Sequence, residues 1–287
     1  MKKRHKILSQ IAFGGIIFVF AAVTLSIFIF FYYSRRLPDP NAWQDRQVIQ
    51  STKIYDREGK NLLYEIHGEE KRTVIPFSEI PQIVKNATLV AEDVEFYNHS
   101  GINIRGILRA ILADIKGGTL AEGGSSITQQ LIKNAYLSPE RTFNRKIKEL
   151  ILSIALERKY SKDEILNFYL NQIPYGSNSY GIEAAAQTYF NKPAKELALT
   201  EVVYLVAMPK APSYYSPYGN HGAELKSRAN HILSRMRELK YISDNDYNNA
   251  LKTTVNFVGQ KTNVIAPHFV MFIRDYLNEK YGEDFVE

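Results

Sequence analysis

Residues 138–171 read SPERTFNRKIKELILSIALERKYSKDEILNFYLN. Ser138, Pro139 and Glu140 supply an N-cap and a first-turn proline, the signature of a helix start. The helix they open is expected to run to about Arg158, because Phe143, Ile147, Leu150, Ile151 and Ile154 then share one face. Ser161 and Glu164 form a second start, a capping box ahead of ILNFYLN. Working outward, the helical period continues downstream in GIEAAAQTYF, LTEVVYLVAM, AELKSRANHILSRMREL and PHFVMFIRDYLNEKYG, and upstream as far as Pro81. Before Pro81, STKIYDREGKNLLYEI sets Arg-Glu-Gly between two short alternating runs, which favours a β-hairpin. The expected fold class is therefore mainly α, with a small β-hairpin region.

Residues 7–34 carry no charged side chain, and IAFGGIIFVFAAVTLSIFIFFYY within them exceeds the roughly 20 apolar residues that cross a bilayer as a helix. One transmembrane helix is expected. A signal peptide would have an apolar region of about 7–15 residues before a small-residue cleavage site, whereas Tyr32, Tyr33 and Arg35 follow here. The leading MKKRHK places the N-terminus in the cytoplasm and everything after Arg36 outside. The net charge of +6 sits in this same region: Lys2, Lys3, Arg4, Lys6, Arg35 and Arg36 face no acid, and removing those six from 36 basic residues leaves 30 against 30 acidic ones. A nucleic-acid partner thereby loses its electrostatic basis. With no cysteine, disulfides and thiolate metal sites are excluded.

Four segments carry chemistry. EDVEFYNHSG, residues 92–101, crowds Glu92, Asp93, Glu95 and His99 behind the apolar run ATLVA. NIRGILRAILADIKGG, residues 103–118, reads as a core helix or as one lying at lipid headgroup level, with Arg105 and Arg109 toward phosphate. The glycines of 112–124 suggest a flap. GGSSITQQLIKN, residues 123–134, has Ser125 or Ser126 as a cap and gathers Gln130, Lys133 and Asn134 on one side of a helix. It would suit a phosphate or pyrophosphate at a helix N-terminus, or be an ordinary capped helix, and it lacks Walker spacing. RKIKE, residues 145–149, sets Arg145 and Glu149 at i, i+4, which by itself reads as a surface ion pair.

In this order, EDVEFYNHSG, GGSSITQQLIKN, RKIKE, KYSKDEILNFYLNQIPYG and LTEVVYLVAMPKAPSYYSP resemble the five sequence blocks of the peptidoglycan glycosyltransferases, over roughly residues 50–250. The resemblance implies a lysozyme-like glycosyltransferase domain that polymerises lipid II, with the growing lipid-linked glycan as donor. Residues 256–287 look like the connector of class A penicillin-binding proteins, ahead of a transpeptidase domain that is absent here. The expected organisation is a cytoplasmic tail 1–6, a transmembrane helix 7–34, a linker and hairpin region 35–80, a catalytic domain 81–255 and the connector. A single-pass protein of the bacterial plasma membrane follows, with an extracytoplasmic catalytic domain.

By the resemblance, Glu92 matches the family's general base; its place at the end of an apolar helix would fix it, and partial burial would raise its pKa. Glu149 matches the second acid, orienting the donor side, with a divalent cation (Mg or Mn) on the pyrophosphate as one route. Lys133 and Arg145 match the donor-site cations, and Ser125, Gln130 and Asn134 the polar lining. Ser126 stands where the family usually has threonine. Asp93, Phe96 and His99 shape the site, although Asp93 and Glu95 could simply be solvated. No organic cofactor is expected; expected partners are the membrane and other cell-wall synthesis proteins. The rival readings are a lysozyme-like peptidoglycan hydrolase and a non-catalytic cell-wall scaffold.

Overall fold

The computed structural model describes residues 52–60, 62–66, 71–104, 106, 124–137, 142–259 and 266–281, with isolated helical positions between 13 and 32. Among the described residues no helix is long and apolar enough to cross a membrane. The expected span 7–34 lies largely outside them, as do nearly all of helix 103–118 and of the flap at 112–124.

Strands β1 (Thr52–Tyr55) and β2 (Leu62–Ile66) form the antiparallel hairpin, with Thr52 opposite Ile66. A second sheet has the order β3 (Lys71–Arg72), β5 (Ser179–Tyr180), β4 (Pro174–Gly176), with β3 parallel to β5. Two- and three-residue strands carry too little alternation to be read from sequence.

The helices follow from their caps and stripes. Helix α1 (Gln82–Glu92) starts after Pro81 and buries Val84, Ala87, Thr88, Leu89 and Val90. Helix α2 (Ile127–Tyr136) opens on a capping box of Ser126 and Gln129. Helix α3 (Phe143–Lys159) starts later than its sequence suggests: the hydroxyl of Thr142, not that of Ser138, accepts from the backbone N–H of Arg145. Thr142 stands directly before the apolar stripe, so its cap leaves the whole stripe helical. Helix α4 (Lys162–Gln172) has the expected Ser161–Glu164 box. After it come α5 (Ile182–Phe190), α6 (Leu199–Ala207), α7 (Gly222–Glu238), α8 (Asp244–Lys252) and α9 (Pro267–Tyr281).

Helix α8 was not anticipated, because DNDYNNALK buries only Ala250 and its start is a local box of Ser243 with Asp246. One apolar core runs through α1 to α7, with α6 against both α1 and α7 and α2 against α3 and α4. The body extends past residue 255, since Phe257 packs on this core and Val258 N–H bonds to Tyr189 O. Helix α9 instead covers the hairpin through Val270, Ile54 and Leu63.

Candidate active site

Glu92 is the last residue of α1. The helix stops there because Asp93 takes an extended conformation (φ −161°, ψ 83°) while its N–H still bonds to Leu89 O. A buried helix thus delivers a carboxylate to a fixed point. The Glu92 side chain is 9% exposed, and its oxygens are held from two other helices. Gln130 of α2 donates to Oε2 at 2.8 Å, and Arg228 of α7 donates to Oε1 at 3.1 Å. The Tyr169 hydroxyl donates to Gln130 Oε1 (3.2 Å), which orients that amide toward the carboxylate. Burial pushes the Glu92 pKa above the ordinary carboxylate value, and the Arg228 charge, the Gln130 bond and Lys210 pull against that rise. Burial, and then the Glu92 charge, raise the hydroxyl of Tyr175; for Tyr169 the same two causes come first.

Asp93 is 5% exposed, which overturns the solvated reading. Its Oδ2 is 2.8 Å from His99 Nε2 and accepts from Ile127 N–H, while Oδ1 accepts from Asn103 Nδ2 at 3.1 Å. It therefore ties the loop after α1 to the start of α2. Phe96 is fully buried beneath that loop. Gly101 closes it with φ +85°, where an added Cβ would lie 2.9 Å from Ser153 O. A side chain there would push the loop off α3.

Three backbone donors at the start of α2 are already engaged by the protein itself. Ser126 N–H donates to Gln129 Oε1, Ile127 N–H to Asp93 Oδ2 and Gln129 N–H to Ser126 Oγ. The protein's own oxygens occupy these three donors, as in an ordinary capped helix. Ser126 Oγ also donates to Gly101 O at 2.6 Å. Ser126→Ala loses the cap and a buried bond together, about 1 kcal/mol each. A thermal melt is expected to show a midpoint several degrees lower.

Glu149 is also buried, and its partner is Lys146, not Arg145. At i, i+3 the Lys146 ammonium reaches both Glu149 and Ser125 Oγ, the latter at 3.1 Å. Arg145 keeps a buried Nε without a partner among the described residues. The surface ion pair expected in RKIKE is thus replaced by a buried carboxylate paired one residue later. A single carboxylate already holding an ammonium is a poor cation site, and among the described residues no group of three His, Asp or Glu could hold a metal ion.

A cleft of about 220 Å³ joins these parts. Glu92, Asp93, Ser125, Gln130 and Lys133 line it. Ser126, Asn134, Phe96, His99, Arg145 and Glu149 are not among its described lining; Glu149 reaches it only through Lys146 and Ser125. The cleft also receives Lys210, Arg228, His231 and Arg235, none of which was singled out from sequence. For the last three the signal was present as a 228, 231, 235 spacing on one helical face of α7, beside the buried Leu225, Ile232 and Met236 stripe; Lys210 lies in the short turn after α6. Cations thus reach the neighbourhood of Glu92 from α2 and from α7.

Residues 59–237 match the family model described as Transglycosylase. Penicillin-binding protein 1A of Aquifex aeolicus is 38% identical, with 94% of this chain and 37% of that protein covered. The protein of the same name from Pseudomonas aeruginosa is 39% identical, covering 89% of this chain and 31% of its own length. A crystal structure of penicillin-binding protein 1A from Haemophilus influenzae aligns with a TM-score of 0.45 at 26% identity, over 83% of this chain and 25% of that one. The chain spans about a third of the length of the curated relatives it matches.

Proposed function

The chain belongs to the transglycosylase family, and from that premise we propose that it is a peptidoglycan glycosyltransferase polymerising lipid II into β-1,4-linked strands. The observation that carries this reading is the buried, doubly held Glu92 in a cleft with cations supplied by two helices. Joining two sugars requires a base for the acceptor hydroxyl and cations for a departing pyrophosphate. In the proposed step the Glu92 carboxylate takes the proton of the acceptor 4-hydroxyl. That oxygen forms a bond to the donor anomeric carbon while the bond from this carbon to the pyrophosphate oxygen breaks. The electron pair leaves with the lipid pyrophosphate, and the α-linked donor becomes a β-linked product by single displacement. In this reading Lys133, in the cleft lining, neutralises the leaving group, and Lys146 adds positive charge at Ser125.

We read the helical body as lysozyme-like and 7–34 as a single anchor with a cytoplasmic N-terminus, so that both lipid-tailed substrates meet the cleft at the bilayer. A divalent cation in this reading would be held by the pyrophosphate oxygens of the substrate. A glycan hydrolase would also use a carboxyl group of raised pKa, as an acid; it has no use for cations converging on the same cleft.

Labelled lipid II incubated with the detergent-solubilised chain is expected to give a ladder of strands that a muramidase digests, with release of the lipid pyrophosphate. Shortening of preformed glycan, without any synthesis, would replace this reading with the hydrolase.

A further inference from the structure

Behind the cleft, the corner between α3 and α4 holds a largely buried ion pair. Glu157 near the end of α3 is 5% exposed, and Lys162 at the start of α4 is 19% exposed. Lys162 Nζ lies 2.8 Å from Glu157 Oε1 and 2.7 Å from Oε2. Each member also grips a segment that positions Glu92. Glu157 Oε1 accepts from the Thr128 hydroxyl at 2.5 Å, and Thr128 lies two residues before Gln130, the donor to Glu92 Oε2. Lys162 Nζ sits 4.3 Å above the centre of the Phe96 ring, in the loop that leaves Glu92. The same corner takes a second hold on that loop, because the Tyr97 hydroxyl donates to Asp163 Oδ1 at 2.8 Å. At Gly101 the loop backbone passes so close to α3 that an added Cβ would sit 3.2 Å from Glu157 Cγ.

We infer that Glu157 and Lys162 are positioning residues for Glu92, one setting the helix that carries Gln130 and the other setting the loop that follows the base. A pair buried only to hold the fold would be replaceable by neutral groups of similar shape at no cost in rate, since such replacement is often neutral or stabilising. A pair that places a reacting group is not replaceable in this way, because small misplacements cost large factors in rate. The inference rests on the proposed glycosyltransferase reading for its kinetic arm only.

The test compares Glu157→Gln, Lys162→Met and the double variant with wild type. Each single variant leaves one uncompensated buried charge and is expected to melt lower. The double variant is expected to recover the wild-type midpoint, yet to stay at least tenfold below wild type in kcat for lipid II polymerisation, with KM within about twofold. In parallel, the carboxyl of Glu92, assigned in a 13C-glutamate spectrum by its loss in Glu92→Gln, is expected to titrate at lower pH in the double variant, because a displaced carboxylate meets more water. A double variant with wild-type melting, kcat and Glu92 titration would overturn the inference and leave the pair purely structural. Thr128→Val, which keeps the packing and removes one grip, is expected to lower kcat severalfold without changing KM; unchanged kcat there would count equally against it. If the wild type forms no strands while the Glu92 titration still moves in the variants, the function is misassigned and the positioning role stands.

Discussion

Glu92→Gln is expected to lower kcat for strand synthesis by about 10²- to 10⁴-fold, the range that a positioned general base contributes. The amide keeps the shape of the carboxylate and loses its basicity. It also turns one acceptor into a donor, while Gln130 and Arg228 both donate to this side chain. Gln130 can rotate its amide to answer the change, at the expense of the bond it receives from Tyr169. The variant should therefore remain folded. Only the ionised base accepts the proton, and burial raises its pKa, so the wild-type kcat should rise with pH through a midpoint above the ordinary glutamate value. The residual rate of the variant should lack that limb. Full activity in Glu92→Gln would remove Glu92 as the base.

Arg228→Met is expected to shift that same limb to higher pH and to lower kcat at neutral pH by at least about tenfold. Among the groups that pull the Glu92 pKa down, the Arg228 charge comes first. Removing it leaves burial less opposed, so a smaller fraction of Glu92 is ionised at a given pH, and raising the pH should recover part of the loss. The Arg228 Nε bond to Ala207 O at 3.0 Å is lost as well, which loosens α7 from the end of α6. The stability loss should fall below the 3–5 kcal/mol typical of a broken buried pair, because Glu92 can neutralise itself by taking a proton. Arg228→Lys should keep the limb closer to wild type while losing the fixed fork geometry. A limb that stays in place in Arg228→Met would mean that Arg228 does not act through Glu92.

Much of this was legible along the chain. The cap offered at Ser125 or Ser126, the box at Ser161–Glu164 and the apolar run that ends at Glu92 depend on neighbours within four positions, and the structure keeps them, choosing Ser126 for the first. The same locality misplaced the start of α3, which was read at Ser138 but is capped four residues later by Thr142. It also hid α8, whose sequence is too polar to show a stripe. The pairing of Glu149 illustrates a closer limit: spacing allowed Arg145, but burial and the reach of Lys146 to Ser125 decided otherwise.

By itself, the sequence determined a mainly helical body, an uncharged apolar segment at 7–34, and a carboxylate at a helix end in five ordered blocks. Only the tertiary structure decided what surrounds that carboxylate. Arg228 lies 136 positions from Glu92 and Gln130 lies 38, and they meet because α6 packs against both α1 and α7 while α2 is held on α3 and α4. Cap and stripe signals are encoded in neighbouring residues; the raised pKa of Glu92 arises from removal of water by the whole core, a quantity that no local spacing contains.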